Sequence, residues 1–301
     1  MTKQSEILED SNYRPILDHG FVGLIDVMGN DASIARAARV SYGAGTKTVN
    51  EDRGLIRHLI RHKHTSPIEM VEFKLHIKIP VFVMRQHVRH RTASLNEYSG
   101  RYSVMSEEFY IPESANIAPQ SINNKQGRED DGFDIDTKQF IKDIISTHSE
   151  DSYKAYEILL GQIPNDENYP SYKTITDKGG LARELARMVL PVNYYTELYW
   201  KIDLHNLMHF LKLRMDSHAQ YEIRVLANAI YELVKPHVPI AMEAYEDYIL
   251  DGCSFSKQEL QILRKFIYVM NINRSDAREM ANEFIENKRE LEEFITKIYR
   301  N

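Results

Sequence analysis

The sequence predicts an α/β protein of the α+β type: a central mixed or antiparallel sheet flanked by helices, with an extra helical segment at the C-terminal end. Three observations carry this. EMVEFKLHIKI (69–79) alternates apolar and polar residues as a half-buried strand does. The strands do not alternate regularly with helices, which argues against a parallel βαβ sheet. Everything from about residue 239 onward reads as helix. At 301 residues the chain is long enough to bury a sizeable core. The expected organisation is one domain over 1–238, with insertions at about 113–137 and 161–180, followed by a helical extension over 239–301.

In chain order, FVGLIDVM (21–28) is a strand closed by Gly29 and Asn30, and SIARAARVSY is a helix with Asp31 as its N-cap. Leu55, Ile56, Leu59 and Ile60 have helical spacing, and HKHTSP ends that helix by Pro67. In the strand over 69–79, Val71, Phe73, Leu75, Ile77 and Ile79 form the buried side, with Glu72, Lys74, His76 and Lys78 opposite. Pro80 opens the helix VFVMRQHVRHR, whose Val81, Met84 and Val88 should face the core. A helix is expected from Thr137 to Leu160 and another over LARELARMVL (181–190). NYYTELYWKID is an aromatic-rich strand, and LHNLMHFLKLRM and HAQYEIRVLANAIYELV are two successive helices. The two insertions are polar and turn-rich and read as exposed loops. Three helical stretches follow, the last a charged helix, SDAREMANEFIENKRELEEFITKIYR.

Composition narrows the function. A formal net charge of -6 disfavours a large nucleic-acid or anionic-membrane footprint. The single cysteine, Cys253, rules out a disulfide framework or a cysteine-rich zinc site, and no basic partner activates it as a nucleophile. The polar start and the lack of a ~20-residue apolar run point to a cytoplasmic protein with no membrane association. There is no GxGxxG after a strand and no Walker loop.

Chemistry concentrates in RHRTASLNEYSGRY (89–102), which holds three arginines, a histidine, a glutamate and two serines. Guanidinium groups offer forked donors to phosphate or to a planar carbonyl pattern. Glu97 cannot bind phosphate but can accept from a sugar or base, so the mixture suits a nucleotide better than bare phosphate. For the RHR triplet alone, a solvated basic helix end is the better explanation of the charge; for the whole run it is not. HNLMH places His205 and His209 four apart on one helix face, the spacing of paired metal ligands, with His218 as a third candidate. Asn206 stands where a zinc-protease motif needs glutamate, so no metal is assigned. HKHTSPIE is explained by helix termination, and Arg183 and Arg187 share a helix face as surface charges. A single-strand nucleic-acid module and a histidine metallohydrolase are the competing classes.

The pattern RHR, seven residues, then Ser resembles the signature of the flavin-dependent thymidylate synthases. DVMGNDASIARAARVSY, HTSPIE, PVFVMRQ, FYIP, ARMVLPVNYYTELYW and LKLRMDSHAQYEI resemble that family's other blocks, in order. The resemblance implies reductive methylation of dUMP to dTMP through bound FAD, with 5,10-methylenetetrahydrofolate as carbon donor and NADPH as reductant. It also implies a homotetramer whose active sites are shared between subunits. By position it assigns Ser41, His64, Ser66, Glu69, Arg89, His90, Arg91, Glu97, Asp203, His205 and His209 to FAD. Gln86, Glu97, Ser99, Gly100, Arg101, Tyr102, Arg187 and Arg214 go to dUMP. Arg214 and Ser99 act at the base itself, Ser99 as a substrate contact and not a nucleophile. The run therefore divides near Thr92, flavin before it and nucleotide after. Asp203, His205 and His209 depart from the Asn, Arg and Asn of the best-known relatives.

Overall fold

The computed structural model describes residues 10–40, 49–122, 127–129, 132–162 and 170–299. Ser41 lies outside them, as do parts of both insertions. The chain forms two compact units, Met1–Thr46 with His64–Pro239, and Lys47–Lys63 with Ile240–Asn301.

The first unit is built on a five-stranded sheet, β1 (Tyr13–Ile16), β2 (Gly20–Met28), β3 (Glu72–Pro80), β4 (Ser94–Glu97) and β5 (Tyr195–Asp203). Its order is β1-β2-β3-β5-β4, and every pairing is antiparallel. The register explains the core. Phe73, Leu75 and Ile77 stand opposite Ile202, Trp200 and Leu198, so the side-chain period of two stacks apolar pairs on one face. All six are at most 1 % exposed. Gly23 in β2 lies under Tyr13: a Cβ there would stand 2.3 Å from the Tyr13 ring, so only glycine lets β1 close on β2.

The opposite face of β3 is less polar in its surroundings than alternation suggests. His76 and Lys78 are buried as well. His76 stacks on Tyr199 with ring centroids 4.6 Å apart, bonds Tyr13 Oη at 3.0 Å, and meets Glu197 Oε1 at 2.6 Å. Lys78 donates to Glu108 at 2.7 Å. Aromatic rings and paired carboxylates make burial of these two tolerable.

The helices of this unit are α1 (Asp31–Val40), α3 (Val81–His87), α4 (Ile135–Leu159), α5 (Pro170–Asp177), α6 (Arg183–Ala186), α7 (Leu204–Arg214) and α8 (Tyr221–Val234). In the second unit, α2 (Val49–Arg61) joins α9 (Pro239–Tyr245), which starts at the boundary, and α10 (Lys257–Val269), α11 (Arg274–Asn282) and α12 (Lys288–Ile298). The helix α1 is capped by Asn30, not Asp31: Ser33 N donates to Asn30 Oδ1 and Asn30 N to Ser33 Oγ. α2 ends at Arg61, and Lys63, with φ +59°, turns the chain away four residues before Pro67. α3 buries Val83, Met84 and His87, not Val81 and Val88, and Val88 is 49 % exposed.

Three further expectations change. The stretch 181–190 is one α-turn followed by a 3-10 turn over Arg187–Val189. The second insertion contains α5. The first carries Arg128, which pairs at 3.0 Å with the buried Glu222 and so is anchored, not merely exposed. The charged C-terminal helix is two helices, because Asn287 caps α12 by accepting from Arg289 N and Glu290 N. Ala277, Ala281, Leu291 and Ile295 form the small core between α11 and α12. Among the described residues no helix is long and apolar enough to cross a membrane.

Candidate active site

The arginine run owes its position to α3. The first two amides of that helix, which have no partner within it, are taken by loop carbonyls: Val81 N by Tyr194 O and Phe82 N by Val192 O, both at 2.9 Å. At the other end the helix tightens into a last turn, with Arg89 N on Gln86 O and His90 N on His87 O. Arg89, His90 and Arg91 therefore leave the helix end, next to the sheet and α7. Behind them His87 is fully buried against Trp200 and Phe210, with centroids 4.2 and 5.4 Å away. Burial, with His90 and Arg214 nearby, lowers its pKa from 6.5 to about 3.

α7 supplies the second wall. Asp203 caps it, accepting from Asn206 N at 2.9 Å and Asn206 Nδ2 at 2.7 Å. One helix thus carries His205, His209 and, at its end, Arg214. Arg89, His90, Arg91, Thr92, Ile202, Asn206, His209, Leu213 and Arg214 line a cavity of about 390 Å³. Its lining holds three guanidiniums and two imidazoles and no carboxylate. Arg214 Nε donates to His90 Nε2 at 3.1 Å, and its Nη2 reaches Gln86 O at 3.4 Å. Burial, then the charge of Arg214, then His209 lower the His90 pKa to about 4. His90 is therefore neutral near pH 7 and accepts from Arg214. Burial and Arg89 also lower the Arg214 pKa, the signature of cations gathered without an internal counterion. Such a donor set fits the pyrophosphate and ring carbonyls of a flavin nucleotide.

The turn Ile68–Met70, which carries Glu69, packs against α7 and β5, and Leu204 N bonds Val71 O at 2.8 Å. This brings the HTSPIE segment beside the helix bearing His205 and His209. His64 and Ser66 are exposed on the same segment. Of the flavin residues expected from sequence, Arg89, His90, Arg91 and His209 meet in the cavity, Glu69 lies against α7, and Asp203 serves as that helix's cap. Among the described residues no cluster of three metal-ligand side chains includes His205, His209 or His218.

The nucleotide residues fall into two groups. Arg214 lines the cavity, and Gln86 stands behind it through its backbone contact to Arg214; Gln86 also donates to Gln220. Glu97 ends β4 and Ser99 to Tyr102 follow it, so the strand sets them roughly 10 Å further along the chain at about 3.3 Å per residue. Glu97 accepts from Thr196 Oγ1 at 2.7 Å. Ser99 O takes Tyr102 N at 3.0 Å in a tight turn, and Arg183 holds Tyr102 O at 2.9 Å. A Cβ on Gly100 would lie 3.0 Å from Met105 Sδ and 3.2 Å from Arg187 Cδ, so glycine lets this turn close on Arg187. Arg101 and Arg187 are exposed, and Arg101 lies 3.4 Å from Glu184. The phenol of Tyr194 is raised by burial and Glu97 and lowered by Arg187, so both charges act on it. The sequence reading missed Asn206, Thr92 and His87. HNLMH showed Asn206, but only as a missing glutamate; burial of His87 had no sequence signal.

These features define a class: an α+β protein that concentrates guanidinium groups at a helix end and a sheet edge to hold phosphorylated, nucleotide-like ligands. Residues 23–240 match the family model described as thymidylate synthase complementing protein. The flavin-dependent thymidylate synthase of Rickettsia bellii is 51 % identical over 86 % of this chain and 87 % of its own. That of Wolbachia pipientis is 48 % identical over 87 % and 86 %. Among solved structures, the UMP/dUMP methylase PolB of Streptomyces cacaoi, bound with 5-Br UMP, aligns with a TM-score of 0.64 and 29 % identity, over 77 % of this chain and 95 % of that one. The chain belongs to the flavin-dependent thymidylate synthases.

Proposed function

We propose that the chain carries out the family reaction, dUMP to dTMP with bound FAD, as a homotetramer in the cytoplasm with active sites shared between subunits. The methylene group comes from 5,10-methylenetetrahydrofolate and the reducing equivalents from NADPH. The observation that carries this is the cavity in which Arg89, His90, Arg91, His209 and Arg214 converge without a carboxylate.

In this reading Arg89, His90 and Arg91, with His64, Ser66, Glu69, His205 and His209, hold FAD; Asp203 contributes by fixing the start of α7. When bound, the flavin supplies the hydride chemistry, and the protein supplies orientation and electrostatics. Neutral His90 fixes Arg214 through Nε, which leaves the remaining guanidinium N–H groups to meet the uracil carbonyls. A cation held there stabilises negative charge developing on the base. Arg101 and Arg187 take the nucleotide phosphate, and Glu97, Ser99, Gly100 and Tyr102 position the sugar and base. No thiolate takes part: the one cysteine, Cys253, is exposed and is not among the residues of the cavity.

The test is the visible spectrum of the purified protein. A yellow protein that NADPH bleaches, and that reoxidises with dUMP and the folate to release dTMP, is expected. A chain that stays colourless with added FAD, or whose reduced flavin ignores dUMP, would sink the proposal.

A further inference from the structure

The second unit carries a set of side chains that dTMP synthesis does not use. His58 on α2 and His62, the residue just past its end, stand four residues apart, and His62 N still bonds His58 O at 3.0 Å, so both ride one helical turn. Their rings lie 4.4 Å apart. Lys63 then turns the chain away at φ +59°. From α12, Glu293 brings Oε2 to 3.1 Å from His62 Nε2. One donor atom from each of His58, His62 and Glu293 lies within 4.8 Å of the other two.

We propose that His58, His62 and Glu293 form a binding site for a divalent transition-metal cation of the zinc type, which ties α2 to α12. Two imidazoles and a carboxylate are borderline ligands that suit Zn²⁺, Co²⁺ or Ni²⁺ and not Mg²⁺ or Ca²⁺. Metal–ligand bonds of about 2.0–2.1 Å in a tetrahedron place donor atoms roughly 3.4 Å apart, so only modest side-chain rotation separates the observed cluster from a ligand set.

His62 Nε2 stands 3.1 Å from Glu293 Oε2, so a cation on the Nε2 lone pair is within reach of the carboxylate. Arg61 Nε, 3.5 Å from the same nitrogen, gives up that lone pair when the cation binds. The other carboxylate oxygen, Glu293 Oε1, is held by Arg61 at 3.0 Å, an outer contact of the kind that orients a ligand. The charge of Arg61 is itself met by Glu290 at 2.9 Å. His58 and His62 are exposed, and Arg61 and Glu293 line a cavity of about 1050 Å³, so water can complete the coordination and the ion has a path in. The three ligands tie the middle of α12 to the C-terminal end of α2, with His62 and Glu293 231 positions apart in sequence. The site is therefore structural in its effect and distinct from the sequence expectation for His205 and His209.

The experiment uses the full-length chain without an affinity tag, stripped by a chelator and titrated with Zn²⁺ by calorimetry and with Co²⁺ by visible absorption. The expected result is one cation per chain and a melting temperature that rises with free Zn²⁺. His58→Gln and His62→Gln should each weaken binding by about tenfold or more, Glu293→Gln should weaken it from the other helix, and a His205→Gln/His209→Gln variant should bind as wild type. Melting of the stripped variants alongside the stripped wild type shows that each is folded. The proposal is overturned if the wild type takes up no stoichiometric cation. It is equally overturned if His58→Gln/His62→Gln binds as wild type, or if the His205→Gln/His209→Gln variant is the one that loses the metal.

Discussion

Arg214 is the side chain on which most of the residue-scale chemistry rests. It is oriented by a neutral His90, and it shares the cavity with Arg89 and Arg91. Arg214→Ala should lower kcat by roughly 10²–10³-fold, the range for losing one preorganised donor at developing negative charge, while flavin stays bound. Steady-state rates together with the flavin absorbance of the same sample check this; a normal kcat would remove Arg214 from the reacting base. Cys253→Ser should leave both unchanged. His87 gives a pH prediction. Its pKa falls from 6.5 to about 3 on folding, so between those values the unfolded chain binds a proton that the folded chain does not. Stability is full above pH 6.5 and declines toward pH 3, with a slope from this group of up to about 1.4 kcal/mol per pH unit. Neither His87 ring nitrogen has a hydrogen-bond partner among the described residues. His87→Phe, which keeps the ring against Trp200 and Phe210, should flatten the acid limb of a urea-denaturation series from pH 8 to pH 4. An unchanged limb would show that His87 is not held neutral. The arginine run was legible in the sequence because unbalanced guanidiniums at that density need a ligand. The neutrality of His90 and His87 was not, since it depends on burial and on which charges the fold brings close.

At the scale of elements, legibility followed length and alternation. β3 and β5 are nine residues each and announce themselves by period and by aromatic content. β1 and β4 are four residues each; β1 buries only Ile16 and all four residues of β4 are exposed, so neither shows an alternating buried face in its sequence. Yet β4 is what separates the cavity from the turn Ser99–Tyr102, which turns a division near Thr92 into two places on a sheet edge. The break between α11 and α12 was hidden for another reason: Asn287 interrupts a charged stretch whose helical propensity is otherwise continuous. Asp203 is the element-scale test. Its carboxylate holds the first turn of α7, so Asp203→Ala should cost about 1 kcal/mol of stability, typical for a lost N-cap. It should also weaken FAD retention more than it raises the KM for dUMP, because His205 and His209 ride that helix while Arg101 and Arg187 do not. Thermal melts and flavin release on dilution measure the two effects, and an unaltered melt would show that the cap carries no stability.

For the whole molecule, the question is why the expected nucleotide ligands lie in two groups. Arg214 stands at the cavity with Gln86 behind it, whereas a buried Gly100 and the exposed Arg101 and Arg187 cluster beyond β4. The shared-site homotetramer proposed above would resolve this: every subunit would give its cavity to one site and its Arg187 turn to another. Arg91→Ala should lose FAD, and Arg187→Ala should keep FAD but require far more dUMP. Each alone should be nearly inactive at low dUMP. Co-expressed or unfolded and refolded together, the two variants should recover activity, because some sites draw Arg91 from one chain and Arg187 from another. Random mixing puts both wild-type residues together in roughly a quarter of sites, so about a quarter of wild-type activity is the expected ceiling. Differently tagged chains purified in tandem establish that mixed oligomers have formed. If those mixed oligomers stay as inactive as their parents, Arg91 and Arg187 serve a site within one chain, and the two groups must instead be joined by movement of β4.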